Sequence, residues 1–86
     1  MLDACYYSLI ERDDDGRFVG WVPDLPGATA SGHTEDEVVH QLSEATRQRL
    51  RDLLMSGHPP PPARRVEELP ASEDRREIRR LLLIIG

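Results

Sequence analysis

The 86-residue sequence contains no lysine, a single cysteine and only four aromatic residues. The lone thiol, Cys5, excludes an internal disulfide and a cysteine-based zinc cluster. No apolar run approaches the ~18 residues of a membrane span, and the N-terminus lacks a signal-peptide pattern, so a cytoplasmic protein is expected. With lysine absent, all 11 basic residues are arginine, which we read as coding bias rather than chemistry; against 16 acids they leave a net charge of −5. A chain of that sign lacks the basic face with which proteins displace counterions from nucleic acid. Short length is the last shortage. One domain fits, it buries roughly 60–65% of its unfolded surface, and a partner subunit is a common supplement to so thin a core.

The charge that is present is unevenly placed. Residues 1–57 carry five arginines against eleven acids, whereas residues 58–86 carry six against five. The N-terminal body is therefore acidic, and its natural complement is a basic protein.

Ala4–Arg12 (ACYYSLIER) and residues 17–23 (RFVGWVP) read as strands, joined through Asp13, Asp14, Asp15 and Gly16. Asp-Gly is a strong hairpin signal because both positions tolerate positive φ. Phe18, Gly20 and Val22 face one side of the second strand and Val19 and Trp21 the other; apolar residues on both faces predict a central strand. Pro23, Asp24, Leu25, Pro26 and Gly27 then interrupt the ladder, since neither proline donates to it. Residues 28–31 form a short third strand, ended by Gly32. Thr34 and Glu37 form a capping box for a helix over residues 35–56, with three acids at its positive end. Val38, Leu42, Ala45, Leu50 and Leu53 make its apolar stripe, flanked by Val39, Thr46 and Leu54. Gly57 and the prolines from Pro59 to Pro62 stop it. Residues 64–69 (RRVEEL) are expected to form a short, charged edge strand. A last helix is expected after Ser72, with Ile78, Leu81, Leu82 and Ile85 at i, i+3, i+4 and i+7.

Little in the chain invites catalysis. Asp13, Asp14 and Asp15 lack the ligand spacing and distal glutamate of a calcium loop, and read as a solvated hairpin tip. His33, His40 and His58 include no i, i+4 metal pair. Ser31, His33 and Asp36 make a triad on paper that nothing selects, as do Asp13, Asp24 and Asp36 for a relic metal-dependent nuclease. Neither an enzyme nor a metal or other cofactor is expected. Cys5 reads as a small core hydrophobe without a cationic neighbour to activate it. Trp21 is either core filler beneath the helix or an interface anchor, and the second is favoured because aromatics dominate interface energetics.

The string Pro23-Asp24-Leu25-Pro26-Gly27, followed by Ser31-Gly32-His33-Thr34 and Glu37, resembles the P-D-L-P-G-C, G-D-T and E-A pattern of the HicB antitoxin family. Ala28 stands where Cys is usual, His33 where Asp is, and Val38 where Ala is. The resemblance spans residues 5–62. It implies an α+β fold: a three-stranded antiparallel sheet with one long helix on a face and a short fourth strand, similar to a partial ribonuclease H fold without its catalytic carboxylates. Residues 1–69 then form the body, and residues 70–86 a helical tail belonging to the same domain or to an oligomer contact. The resemblance also implies a homo-oligomer that masks a small basic messenger-RNA-cleaving toxin of the HicA type. Many family members carry a DNA-binding domain as well. Residues 70–86 are too few for a helix-turn-helix domain, so DNA binding is not expected of them.

Asp13, Asp14, Asp15, Trp21, Asp24 and Leu25 are the candidate partner contacts. Pro23, Asp24, Leu25, Pro26, Gly27, Gly32, Thr34 and Glu37 are the structural motif, with Gly27 and Gly32 expected to supply positive φ. Two apolar surfaces, the sheet face without the helix and the tail from Leu81 to Ile85, predict an oligomer, most simply a dimer. A stand-alone oligomeric module without a toxin is the competing reading.

Overall fold

A computed structural model describes residues 4–70 and 75–85. Its elements run β1 (Ala4–Arg12), β2 (Phe18–Trp21), β3 (Thr29–Gly32), α1 (Glu35–Met55), a single 3-10 turn at Val66–Glu68, and β4 (Arg76–Ile85). The four strands form one antiparallel sheet in the order β3-β2-β1-β4. The expected α+β class, the central position of the second strand and the single long helix are all present.

The helix lies on the sheet face that carries Gly20, and glycine is there because of that approach. A Cβ at Gly20 would stand 2.7 Å from Val38 Cγ1 and 3.0 Å from Leu42 Cδ2. Val38, Leu42, Thr46 and Leu50, one helical turn apart, are buried against Tyr6, Ile10, Val22, Leu25, Ala28, Leu83 and Ile85. Thr46 is the polar member of that stripe and donates its hydroxyl to the Leu42 carbonyl at 2.7 Å, so burial strands nothing. Thr34 Oγ1 accepts from the Glu37 amide at 3.1 Å, as expected of an N-cap. The Glu37 carboxylate turns to Gln41 Nε2 at 3.4 Å and lies across Gly32. At the other end Gly57 takes φ +81°, and His58 and Gly57 donate to the Leu53 and Leu54 carbonyls, a Schellman stop.

Three expectations are corrected. The apolar C-terminus is not a helix but β4, paired along its length with β1, so the presumed tail is a sheet strand of the body. The i, i+3, i+4 spacing of Ile78, Leu81, Leu82 and Ile85 coincides with an equally good alternation, in which Leu83 and Ile85 are buried, Leu81 packs against them, and Leu82 and Ile84 are exposed. A continuous apolar run opposite an apolar central strand settles as a strand. Ser72, its supposed cap, lies outside the described residues. Residues 64–69, expected as the fourth strand, are extended chain and the 3-10 turn instead. Cys5 is exposed, opposite Ile84, rather than in the core.

The segment after the helix is tied down at intervals. Tyr6 donates its hydroxyl to the Pro61 carbonyl at 2.6 Å, and Arg80, opposite Leu9 in β1, donates to the Val66 carbonyl. Arg80 belongs to the sheet face away from the helix. Leu9 and Leu69, both buried, are absent from the helix-side core. Residues 58–70 thus cross from the helix end to the second face and cover part of it.

A candidate protein-interaction surface

Asp13 builds the hairpin turn. Its Oδ1 accepts from the amides of Asp15 and Arg17, each at 3.0 Å, and its carbonyl accepts from the Gly16 amide at 3.1 Å. Gly16 alone supplies positive φ, 82°, and Asp15 does not, so the loop is longer than the two-residue turn that Asp-Gly suggests. With the Asp13 carboxylate engaged by its own backbone, Asp14 and Asp15 stand exposed at the tip. Phe18 pairs with both Arg12 and Gly32, which brings this tip to the same end of the sheet as the start of α1. Exposed Asp36 and Glu37 lie there too, while the neighbouring Glu35 is held by Arg79 at 2.8 Å. No arginine among the described residues pairs with Asp14, Asp15, Asp36 or Glu37. These carboxylates gather at one end of the molecule, where they outnumber Arg12, Arg17 and Arg76, which form no ion pair among the described residues.

The Pro23-to-Gly27 loop closes on itself: Val22 donates to Ala28, Leu25 to Val22 and Ala28 to Leu25, at 3.0–3.1 Å. Leu25 is fully buried in the helix-side core. The Asp24 side chain is 5% exposed and holds Arg64, accepting from its amide at 2.8 Å and pairing with its guanidinium. Gly27 takes φ +98°, and Arg49 reaches the Pro26 carbonyl at 3.0 Å. Gly32 has no positive φ, contrary to expectation; a Cβ there would meet the Glu37 carboxylate at 2.9 Å, the movable end of an exposed side chain. The motif thus shapes the loop and anchors the crossing segment, with Asp24 and Leu25 turned inward.

The second face carries a feature that the sequence analysis missed. Glu11, wholly buried, accepts from the Trp21 indole at 2.8 Å and pairs with Arg75 at 3.1 Å. Its Oε2 has no hydrogen-bond partner among the described residues. Trp21 is half-buried, away from the helix, and walls an open hollow with Val19, Thr29, Ser31 and Arg75. Trp21 thus does not fill the core beneath the helix. The alternation of β1, which sets Glu11 on the same face as Leu9, was the available signal.

His33, His40 and His58 are all exposed, and no group of three or more His, Cys, Asp or Glu among the described residues could hold a metal ion. No described helix is long and apolar enough to cross a membrane.

A family model for the HicB-like antitoxin of bacterial toxin–antitoxin systems matches residues 6–85. The chain belongs to the HicB-like antitoxin family. Its match takes in β4, which lies beyond the residues that carried the resemblance. The fold is that of the crystal structure of the N-terminal domain of Burkholderia pseudomallei antitoxin HicB, with a TM-score of 0.70 at 22% identity over 96% of each chain. Two relatives, UPF0150 protein ssr1258 of Synechocystis sp. and UPF0150 protein Ta0767 of Thermoplasma acidophilum, are each 38% identical over 48 residues, 56% of this chain and 70% of the relative. For a HicB-like antitoxin the relevant chemistry is recognition of a toxin, and the acidic end and the Trp21 face are the surfaces to consider.

Proposed function

We propose that this HicB-like chain neutralises a small basic messenger-RNA-cleaving toxin of the HicA type by binding and masking it. The observation that carries the reading is the cluster of carboxylates at the hairpin tip and helix start, which outnumber the arginines beside them and have the sign a basic ribonuclease requires. Asp14 and Asp15 would steer and hold the toxin, in competition with its RNA, while Asp13 fixes the turn that presents them. Trp21 is the aromatic anchor of the neighbouring face. Asp24 and Leu25 contribute indirectly, by holding the loop and the crossing segment. The β-β-β-α-β order suits a body of ribonuclease H type that lacks catalytic carboxylates, so its role is to bind a nuclease in the cytoplasm rather than to be one.

Co-expression with a HicA-type toxin tests this. The wild-type chain should restore growth and co-purify with the toxin, and the Asp14→Arg, Asp15→Arg double variant should weaken both while melting normally. A folded wild-type chain that neither rescues growth nor co-purifies would remove the assignment. Unaltered binding by the double variant would move the contact away from the hairpin.

A further inference from the structure

We infer that the free edge of β4 takes a second copy of the same chain, antiparallel and centred on Leu82, to make one continuous sheet of eight strands. The two sheet edges are unequal. β3 has four residues and follows directly on the Pro26-Gly27 loop, the kind of blunted edge that resists pairing. β4 has ten residues, no proline, and no strand on its outer side among the described residues. Its pairing with β1 shifts register between Ile10 and Glu11, leaving Ile78 as the extra residue of a bulge. The regular part of the edge is therefore residues 79–85, and its midpoint is Leu82.

A two-fold axis at Leu82 places Leu82 against itself, Leu81 against Leu83, Arg80 against Ile84 and Arg79 against Ile85. Each of these pairs shares a face of the sheet, because opposed residues in an antiparallel ladder point the same way. Leu82 and Ile84, 43% and 74% exposed, would come together on the second face of the joined sheet. No like charges meet. Moving the axis to Arg80 opposes that residue to itself, and moving it to Ile78 sets Arg76 against Arg80. The residue pattern selects the occupant. Residues 79–85 offer two arginines, already paired with Glu35 and Glu77, and five apolar side chains, so this edge presents no carboxylate to a basic toxin and is complementary to itself about the two-fold axis. A second copy brings its uncharged half to the arginines, whose stems can lie along Ile84. Strand addition supplies backbone hydrogen bonds, and closed two-fold symmetry uses up both edges.

Sedimentation of the full chain at micromolar concentration, without any toxin, tests the inference separately from the toxin reading. The wild type should run as a dimer. Ile84→Arg, facing Arg80 of the second copy, should shift it to monomer, whereas Ile84→Glu should keep the dimer; neither should change the fold at so exposed a position. In a Cys5→Ser background, Leu82→Cys should cross-link to a covalent dimer under mild oxidation, because the two Cβ atoms would lie ~4.5–5.5 Å apart. Thr29→Cys, on the opposite edge, should not. A wild-type monomer overturns the proposal. So does a dimer that survives Ile84→Arg and fails to cross-link through residue 82.

Discussion

Single residues decide how closely the helix and sheet approach and how the helix begins. Gly20→Ala puts a Cβ within 2.7 Å of Val38 Cγ1 in a packed core. We expect a loss of ~1–3 kcal/mol in urea unfolding, typical of overpacking; an unchanged midpoint would mean that the helix sits higher on the sheet. Thr34→Ala removes the acceptor of the Glu37 amide and should cost ~0.5–2 kcal/mol by the same measurement. Tyr6 links charge to pH. Burial, with Asp24 nearby as a second cause, raises its phenol above the ordinary value of 10.0. The folded state therefore keeps the proton longer than the unfolded chain. Its contribution is intact below pH 10, and stability falls as pH rises from there toward the folded value. Melting curves above pH 10 should show that fall in the wild type and less of it in Tyr6→Phe. Thr34 was legible from local spacing alone. The partners of Tyr6, Glu11 and Asp24 were not, because Pro61, Arg75 and Arg64 lie 40–64 residues further along the chain.

Elements were legible in proportion to how local their causes are. β1 and α1 carry their own start and stop signals, and they fall within a residue of their expected bounds. β4 carries no such signal: eight apolar or arginine positions in a row satisfy a helix and a strand equally, and only the distant β1 chooses between them. The resemblance implied a strand after the helix, but residues 64–69 had the charge pattern of an edge and drew that assignment. Substitution separates the two readings cleanly. As a strand, β4 buries Leu83 at 4% exposure and leaves Ile78 at 36%, whereas a helix would have buried Ile78. Leu83→Ala should therefore cost ~2–5 kcal/mol and Ile78→Ala well under half as much in urea melts. The reverse order would restore the helix.

At the scale of the whole molecule, the late, basic part of the sequence neutralises the early, acidic part selectively. Arg64, Arg75 and Arg79 pair with Asp24, Glu11 and Glu35, each an acid of the first 57 residues. Those pairs fasten the crossing segment and β4 to the body, and they spend the acids nearest them. Of the carboxylates left without an ion pair among the described residues, Asp13, Asp14, Asp15, Asp36 and Glu37 collect at the end where the hairpin and the helix start meet, beside Arg12, Arg17 and Arg76, and Asp52 lies in the last turn of α1. Composition alone revealed a net charge of −5; only the antiparallel register shows that the hairpin carboxylates and those of the first helical turn share one end. A gathered charge steers association, and steering is screened by salt over ~8 Å at physiological ionic strength. Stopped-flow association with a HicA-type toxin should therefore slow by about tenfold or more between 50 and 500 mM salt, within the range known for steered encounters. The Asp14→Arg, Asp15→Arg variant should start slower and depend less on salt. Reversal of Glu67, an acid already paired with Arg65 in the 3-10 turn, should change neither. A rate indifferent to salt, or one as sensitive to Glu67 as to the hairpin, would show that the toxin approaches elsewhere than this acidic end.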